Sequence, residues 1–210
     1  MPRCGGAQRG DQIKARIALA AFAHDAGDLE GCERELLAAE KAFPGYDDKD
    51  LCAELRLVEL YDEQERTDDA MAARERWIAW DAGEVKLRLL VARWHAEKGR
   101  TDRAITLFTE ANEIDPFLRS AHRDWADALR AAKRYSEAER EYRMTLAVPP
   151  ELDAEDQVAY DDEDRAELMG LRSACLLEAG RKDEARTVAE AALKLDDGCS
   201  TARETLERLK

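Results

Sequence analysis

Aromatic residues are scarce in this chain, at 6% of its 210 residues, so no large aromatic core is expected. No stretch approaches the run of about 18 apolar residues that a membrane-spanning helix needs, which leaves a membrane out of the expected partners. Cys4, Cys32, Cys52, Cys175 and Cys199 are odd in number and contain no closely spaced pair of the zinc-binding or redox type, so they read as reduced thiols of a cytoplasmic protein. His24, His95 and His122 stand alone as well. There is no glycine-rich phosphate loop, no HExxH pair and no Gly-x-Ser-x-Gly elbow, and hence no expected catalytic residue, cofactor or metal. Positive charge is also short. With 33 basic against 47 acidic residues the formal charge is −14, which repels phosphate backbones and anionic membrane surfaces and makes nucleic acid an unexpected general partner.

What the sequence does hold is repetition. The stretch Val85–Leu152 falls onto itself with a shift of 34 residues: Ala92 overlays Ala126, Asp102 overlays Ser136, Ala104 overlays Ala138, Phe108 overlays Tyr142, Ile114 overlays Val148 and Pro116 overlays Pro150. The same frame extends both ways, giving units at 13–46, 51–84, 85–118, 119–152 and 166–199. Residues 1–12, with three glycines and a proline before Asp11, are expected to form a disordered tail. An acidic insertion occupies 153–165 and is expected as a solvated loop that ends one helix or starts the next. Ser200–Lys210 reads as a closing helix with Ala202, Leu206 and Leu209 on one side. Lys14 and Arg16 before Ile17–Ala23 have the outline of a secretory leader, but the apolar run is short and stops at His24-Asp25, where a repeat turns, so it is read as a first helix.

This period and pattern resemble the tetratricopeptide repeat, a helix-turn-helix unit. The resemblance implies an all-α protein, a right-handed α-solenoid of stacked antiparallel helix pairs. Small residues recur at one place in the first helices (Ala20, Val58, Ala92, Ala126, Ser173) and one in the second (Cys32, Ala70, Ala104, Ala138, Ala185), where helices must approach closely. The second unit departs most from the family pattern: Glu65 replaces the turn glycine, Arg74 the large apolar residue and Trp77 the small one. Asp68, Asp102, Ser136 and Asp183 are expected to cap the second helices, and Ser136 with Glu139, like Thr201 with Glu204, has capping-box spacing. His95 and the tryptophans Trp77, Trp80, Trp94 and Trp125 are expected to pack in the core or between repeats.

The resemblance further implies a non-catalytic scaffold or adaptor that binds a peptide or helix of another protein in a concave groove lined by first helices. That geometry places Lys86, Arg93, Glu97, Arg123, Asp127 and Arg130 in the groove. Lys86, Arg93, Arg123 and Arg130 are then the candidate peptide-binding residues, fitted to a carboxylate or acidic segment. Against this, Glu59, Arg93 and Asp127 hold equivalent places and are expected to pair as a ladder of alternating sign. The chaperone-binding clamp of two Lys, two Asn and an Arg is absent, since its places hold Ile17, Ala21, Arg56, Lys86 and Leu90. The alternative reading is the repeat domain of a larger enzyme or transport assembly, making intramolecular or self-association contacts.

Overall fold

A computed structural model describes residues 5–45, 48–81, 83–153 and 157–210, with side chains from Gly10 onward except at Lys49. The described residues form helices and no strand. They fall into two compact units, Met1–Leu87 and Arg88–Lys210.

The first unit holds α1 (Gly5–Asp25), α2 (Leu29–Ala42), a 3-10 turn at Lys49–Leu51, α3 (Ala53–Glu63) and α4 (Thr67–Ile78). Each helix packs on the next. Their joint core contains Ala20, Cys32, Leu36, Leu57, Leu60, Tyr61, Ala70 and Ala73. The boundary between units falls within α5 (Val85–Glu97). The second unit continues with α6 (Thr101–Ile114), α7 (Arg119–Ala131), α8 (Tyr135–Ala147), a 3-10 turn at Pro150–Leu152, α9 (Asp162–Glu178), α10 (Lys182–Leu195) and α11 (Ser200–Arg208). Small residues at the recurring places are buried: Ala92, Ala104, Ala126, Ala138, Ser173 and Ala185 have no exposed surface. α11 closes this unit by packing across α9 and α10, with Ala202 in a cluster with Ala166, Ala189 and Ala192.

One turn geometry joins the two helices of all five pairs. At place 15, counted from the start of each unit, Gly27, Glu65, Gly99, Lys133 and Gly180 all have positive φ, between 56° and 79°. The next residue donates its N–H to a carbonyl five residues back at 2.8–2.9 Å: Asp28 to Ala23, Arg66 to Tyr61, Arg100 to His95, Arg134 to Leu129 and Arg181 to Leu176. This is the Schellman closure, which consumes the orphan carbonyls of the first helix.

That closure corrects the expected caps. The residue after the left-handed one already precedes the second helix, so the N-cap is Arg66, Arg100, Arg134 or Arg181, with no side-chain cap hydrogen bond. Asp68, Asp102, Ser136 and Asp183 lie two residues later, inside the first turn, where the charge of the three aspartates still favours the helix dipole. Ser136 and Glu139 form no capping box, and α11 likewise starts at Ser200 after Cys199 rather than after Thr201. Asp28 alone among the five second helices follows the expected chemistry, accepting from Gly31 N at 2.9 Å.

Three further expectations change. α1 begins at Gly5, so residues 5–12, expected in a tail, belong to a helix, while 1–4 lie outside the described residues. Trp80 is 60% exposed rather than packed. Its ring lies over Gly45, where a Cβ would stand 2.2 Å from Trp80 Cγ. The insertion is anchored rather than wholly solvated. Asp153 is fully buried and accepts from Arg119 N at 2.9 Å and Arg119 Nε at 3.3 Å. Arg119 Nη2 donates to the Val158 carbonyl at 2.6 Å, and its guanidinium sits 4.7 Å from the Tyr160 ring centroid. Residues 162–165 are the first turn of α9, capped by Asp161 accepting from Asp164 N; residues 154–156 lie outside the described ones.

Candidate protein-binding surface

Stacked helix pairs leave a depression wherever the first helices of neighbouring pairs diverge above the second helix between them. Among the described residues, such a hollow is found in each unit, built from equivalent places. In the first unit α1, α2 and α3 enclose about 360 Å³, with Ile17, Ala20, Ala21, Leu36 and Leu60 as an apolar floor and His24, Asp25, Arg56, Glu59 and Glu63 around it. In the second unit α5, α6 and α7 enclose about 380 Å³, with Ala96, Phe108, Ala128 and Ala131 below and Arg93, Glu97, Asp124 and Asp127 around. Ala21 and Arg93, His24 and Ala96, Leu36 and Phe108, Glu59 and Asp127 hold matching places in the two.

The polar groups of each hollow are largely bonded to one another. Arg93 Nε donates to Asp124 Oδ2 at 2.5 Å. Asp127 accepts from the buried Tyr142 hydroxyl at 2.5 Å and from Arg130 Nη2 at 3.4 Å, and Arg130 Nε donates to that hydroxyl at 3.1 Å. Burial, then the bond to Asp127, pushes the Tyr142 phenol well above its ordinary value, so it stays a donor. In the first unit His24 Nε2 meets Glu63 Oε2 at 2.7 Å, and Arg56 meets Glu59 at 3.4 Å. The Glu63 hydrogen bond and charge raise the His24 pKa above 6.5.

Of the four candidate cations only Arg93 borders a hollow. Lys86 is exposed on the first turn of α5, in the first unit. Arg123 reaches Glu167 at 3.3 Å and Arg130 reaches Asp127 at 3.4 Å. Arg93, Arg123 and Arg130 therefore answer three different carboxylates instead of converging on one anion. The expected ladder also shifts: Arg93 pairs with Asp124, one turn before Asp127, because Asp127 is engaged by Tyr142 and Arg130. His24 and Glu63 were missed because each lies in a different pair, and only stacking makes them neighbours.

Other polar groups explain departures from the family pattern. Arg74, in place of a large apolar residue, bonds Asp62 at 2.6 Å. Arg172 bonds buried Glu139 at 2.7 Å, and Arg181 reaches the same carboxylate at 3.3 Å. Arg66 with Glu33, at 2.6 Å, repeats the Arg181–Glu139 bridge at the same two places of the first two pairs. Arg66 in turn holds the Glu33 carboxyl below its ordinary range. His95 is 4% exposed and its ring lies tilted by 59° against Trp94 with centroids 4.6 Å apart, as a packed histidine.

Helix pairs of this length, joined by one recurring turn and stacked through small residues, define the fold as tetratricopeptide-repeat type. Comparison with solved structures gives the same answer. A tetratricopeptide repeat protein from Parabacteroides merdae superposes with a TM-score of 0.53 at 15% identity, covering 95% of this chain and 72% of that one. A crystal structure of MamA protein gives 0.53 at 15% identity over 90% of this chain and 93% of that chain. MamA MSR-1 gives 0.53 at 19% identity, with coverages of 90% and 97%. The sequence matches no protein-family model and no curated protein.

Proposed function

We propose that this chain is a non-catalytic protein-interaction scaffold that receives a segment of a partner protein along its first helices, and that the segment carries an apolar side chain next to a lysine or arginine. The observation that supports this is the shared make-up of the two hollows. Each sets three carboxylates and one arginine around an apolar floor: Asp25, Glu59, Glu63 and Arg56 in one, where His24 is added, and Glu97, Asp124, Asp127 and Arg93 in the other. A floor of small, aliphatic and aromatic residues rewards an apolar anchor, and the carboxylate excess rewards a neighbouring cation. The cytoplasmic setting proposed for the chain suits its thiols, because burial pushes Cys52 up to about 11 and Cys175 up to about 12, which keeps them protonated and unreactive.

The test is fluorescence anisotropy with two peptide sets that share apolar residues and differ in flanking charge. Apolar-basic peptides should bind, and Glu63→Lys or Glu97→Lys should each weaken binding about tenfold, by removing one attraction and adding one repulsion. In the rival reading Lys86, Arg93, Arg123 and Arg130 receive an acidic segment, which has to compete with the carboxylates that Arg93, Arg123 and Arg130 already face. That reading wins if acidic peptides bind instead and Lys86→Glu, Arg93→Glu, Arg123→Glu or Arg130→Glu abolishes that binding.

A further inference from the structure

In every pair after the first, the outer face of the first helix is covered. Places 7 and 10 hold Leu57 and Leu60 at 0% and 3% exposure, and Val91 and Trp94 at 0% and 7%. In later pairs Ala128 and Cys175 are buried, with Trp125 and Arg172 half-buried. For Leu57 and Leu60 the cover includes Cys32 and Leu36 of α2. In α1 the same places hold Leu19 and Phe22, which are 53% and 73% exposed. With Ala15, Ala18 and Ala26, also exposed, they make a continuous apolar stripe at helical spacing.

Charge on one flank of that stripe selects the occupant. Lys14 and Asp25, both exposed, are eleven residues apart, about three turns, and so lie on the same side of α1. Asp25 also borders the hollow of the first unit, which identifies that side. A helix laid antiparallel on an identical helix, with a two-fold axis between Leu19 and Ala20, brings Lys14 of each copy beside Asp25 of the other, twice over. Parallel packing sets the two Lys14–Asp25 flanks on opposite sides of the seam, where they cannot pair with each other. The antiparallel register also places Phe22 over the gap between Ala15, Ala18 and Leu19 of the second copy, large against small. Head-to-tail stacking is disfavoured, since α11 presents Arg203, Glu204, Glu207 and Arg208 to solvent.

We propose that two copies of this chain associate through antiparallel α1 helices, with Leu19 and Phe22 as the apolar seam and reciprocal Lys14–Asp25 pairs fixing the register. An isologous contact of this kind closes on itself and stops at two. Because the flank with Asp25 borders the hollow, the pair carries two first-unit hollows on one side; this consequence, unlike the dimer, rests on the proposed function.

Light scattering of the eluting full chain should give twice the monomer mass of 23.7 kDa. Phe22→Asp should give a monomer with unchanged circular dichroism, as expected for an exposed position. Lys14→Asp and Asp25→Lys should each weaken dimerisation about tenfold, and the double swap should restore it. A chain that stays monomeric up to roughly 1 mM, a dimer indifferent to Phe22→Asp, or a double swap no tighter than either single change overturns the proposal. These outcomes are read on the chain without peptide, and Phe22→Asp and Lys14→Asp leave the lining of both hollows intact, so failure of the dimer and failure of peptide binding are distinguishable.

Discussion

Asp153 shows how much one side chain can organise. It is fully buried, and its carboxylate answers the backbone and guanidinium of Arg119, itself 2% exposed. Removing one member of such a pair strands the other charge in a poorly solvated place. Asp153→Ala should therefore cost about 3–5 kcal/mol in chemical denaturation, whereas Arg119→Met with Asp153→Leu should cost far less, because no charge is left unpaired. An unchanged midpoint for the single variant defeats this reading. His122 is the second such residue. Its Nδ1 is 2.8 Å from Glu141 and its Nε2 is 3.0 Å from the Pro116 carbonyl. Burial alone lowers its pKa, but the Glu141 hydrogen bond, the Pro116 carbonyl and the Glu141 charge outweigh it and raise the value above 6.5. A raised folded-state value means the folded form holds its proton more tightly. The stabilisation is then complete below pH about 6.5 and is lost as pH rises through the folded value. The denaturation midpoint should fall as pH rises above about 6.5, and His122→Phe should reduce that slope, with the His24–Glu63 pair contributing in the same direction.

At the scale of the element, the recurring turn has one conformational cost. Gly27, Gly99 and Gly180 meet it freely, with open space where a Cβ would stand. Glu65 and Lys133 adopt the same left-handed backbone with φ of 56° and 60°, which a side chain disfavours by about 1 kcal/mol. Glu65→Gly and Lys133→Gly should thus each stabilise the protein by about that amount, and Gly180→Ala should destabilise it similarly, read as shifts of the thermal midpoint. Equal and opposite effects would tie all five turns to one geometry; no response at Glu65 or Lys133 would show that their neighbours offset the strain. The replacement of the turn glycine by Glu65 was legible in the sequence, whereas the same replacement at Lys133 was not read there. The caps were not legible either. Their placement depended on how many residues the turn consumes, and the Schellman closure uses two fewer than the carboxylate pattern suggested.

For the whole molecule, stacking decides what is buried. α11 covers Ala166, Ala189 and Ala192, with Met169, Leu193, Leu195 and Leu206 around them. Ending the chain after Asp197 uncovers that cluster, and the shortened protein should aggregate or bind a hydrophobic dye while the full chain does neither. A truncated chain that remained monodisperse would show that α11 is dispensable as a lid. The excess of acidic residues is likewise distributed by stacking rather than by composition. Arg93, Arg123 and Arg130 are half-exposed, yet each faces a carboxylate contributed by its own or a neighbouring helix.

The sequence by itself determined the helices, their pairing and the small residues at their crossings, because these follow from periodicity within about 34 residues of chain. The tertiary structure alone decided which charges meet. Arg119 and Asp153, His24 and Glu63, and Arg172 and Glu139 are brought together from 33 to 39 residues apart. Their contacts depend on the rise and rotation from one pair to the next, to which a linear repeat is blind. The same holds for α1, whose apolar stripe looks like any other first helix until the stack shows that nothing among the described residues covers Leu19 and Phe22.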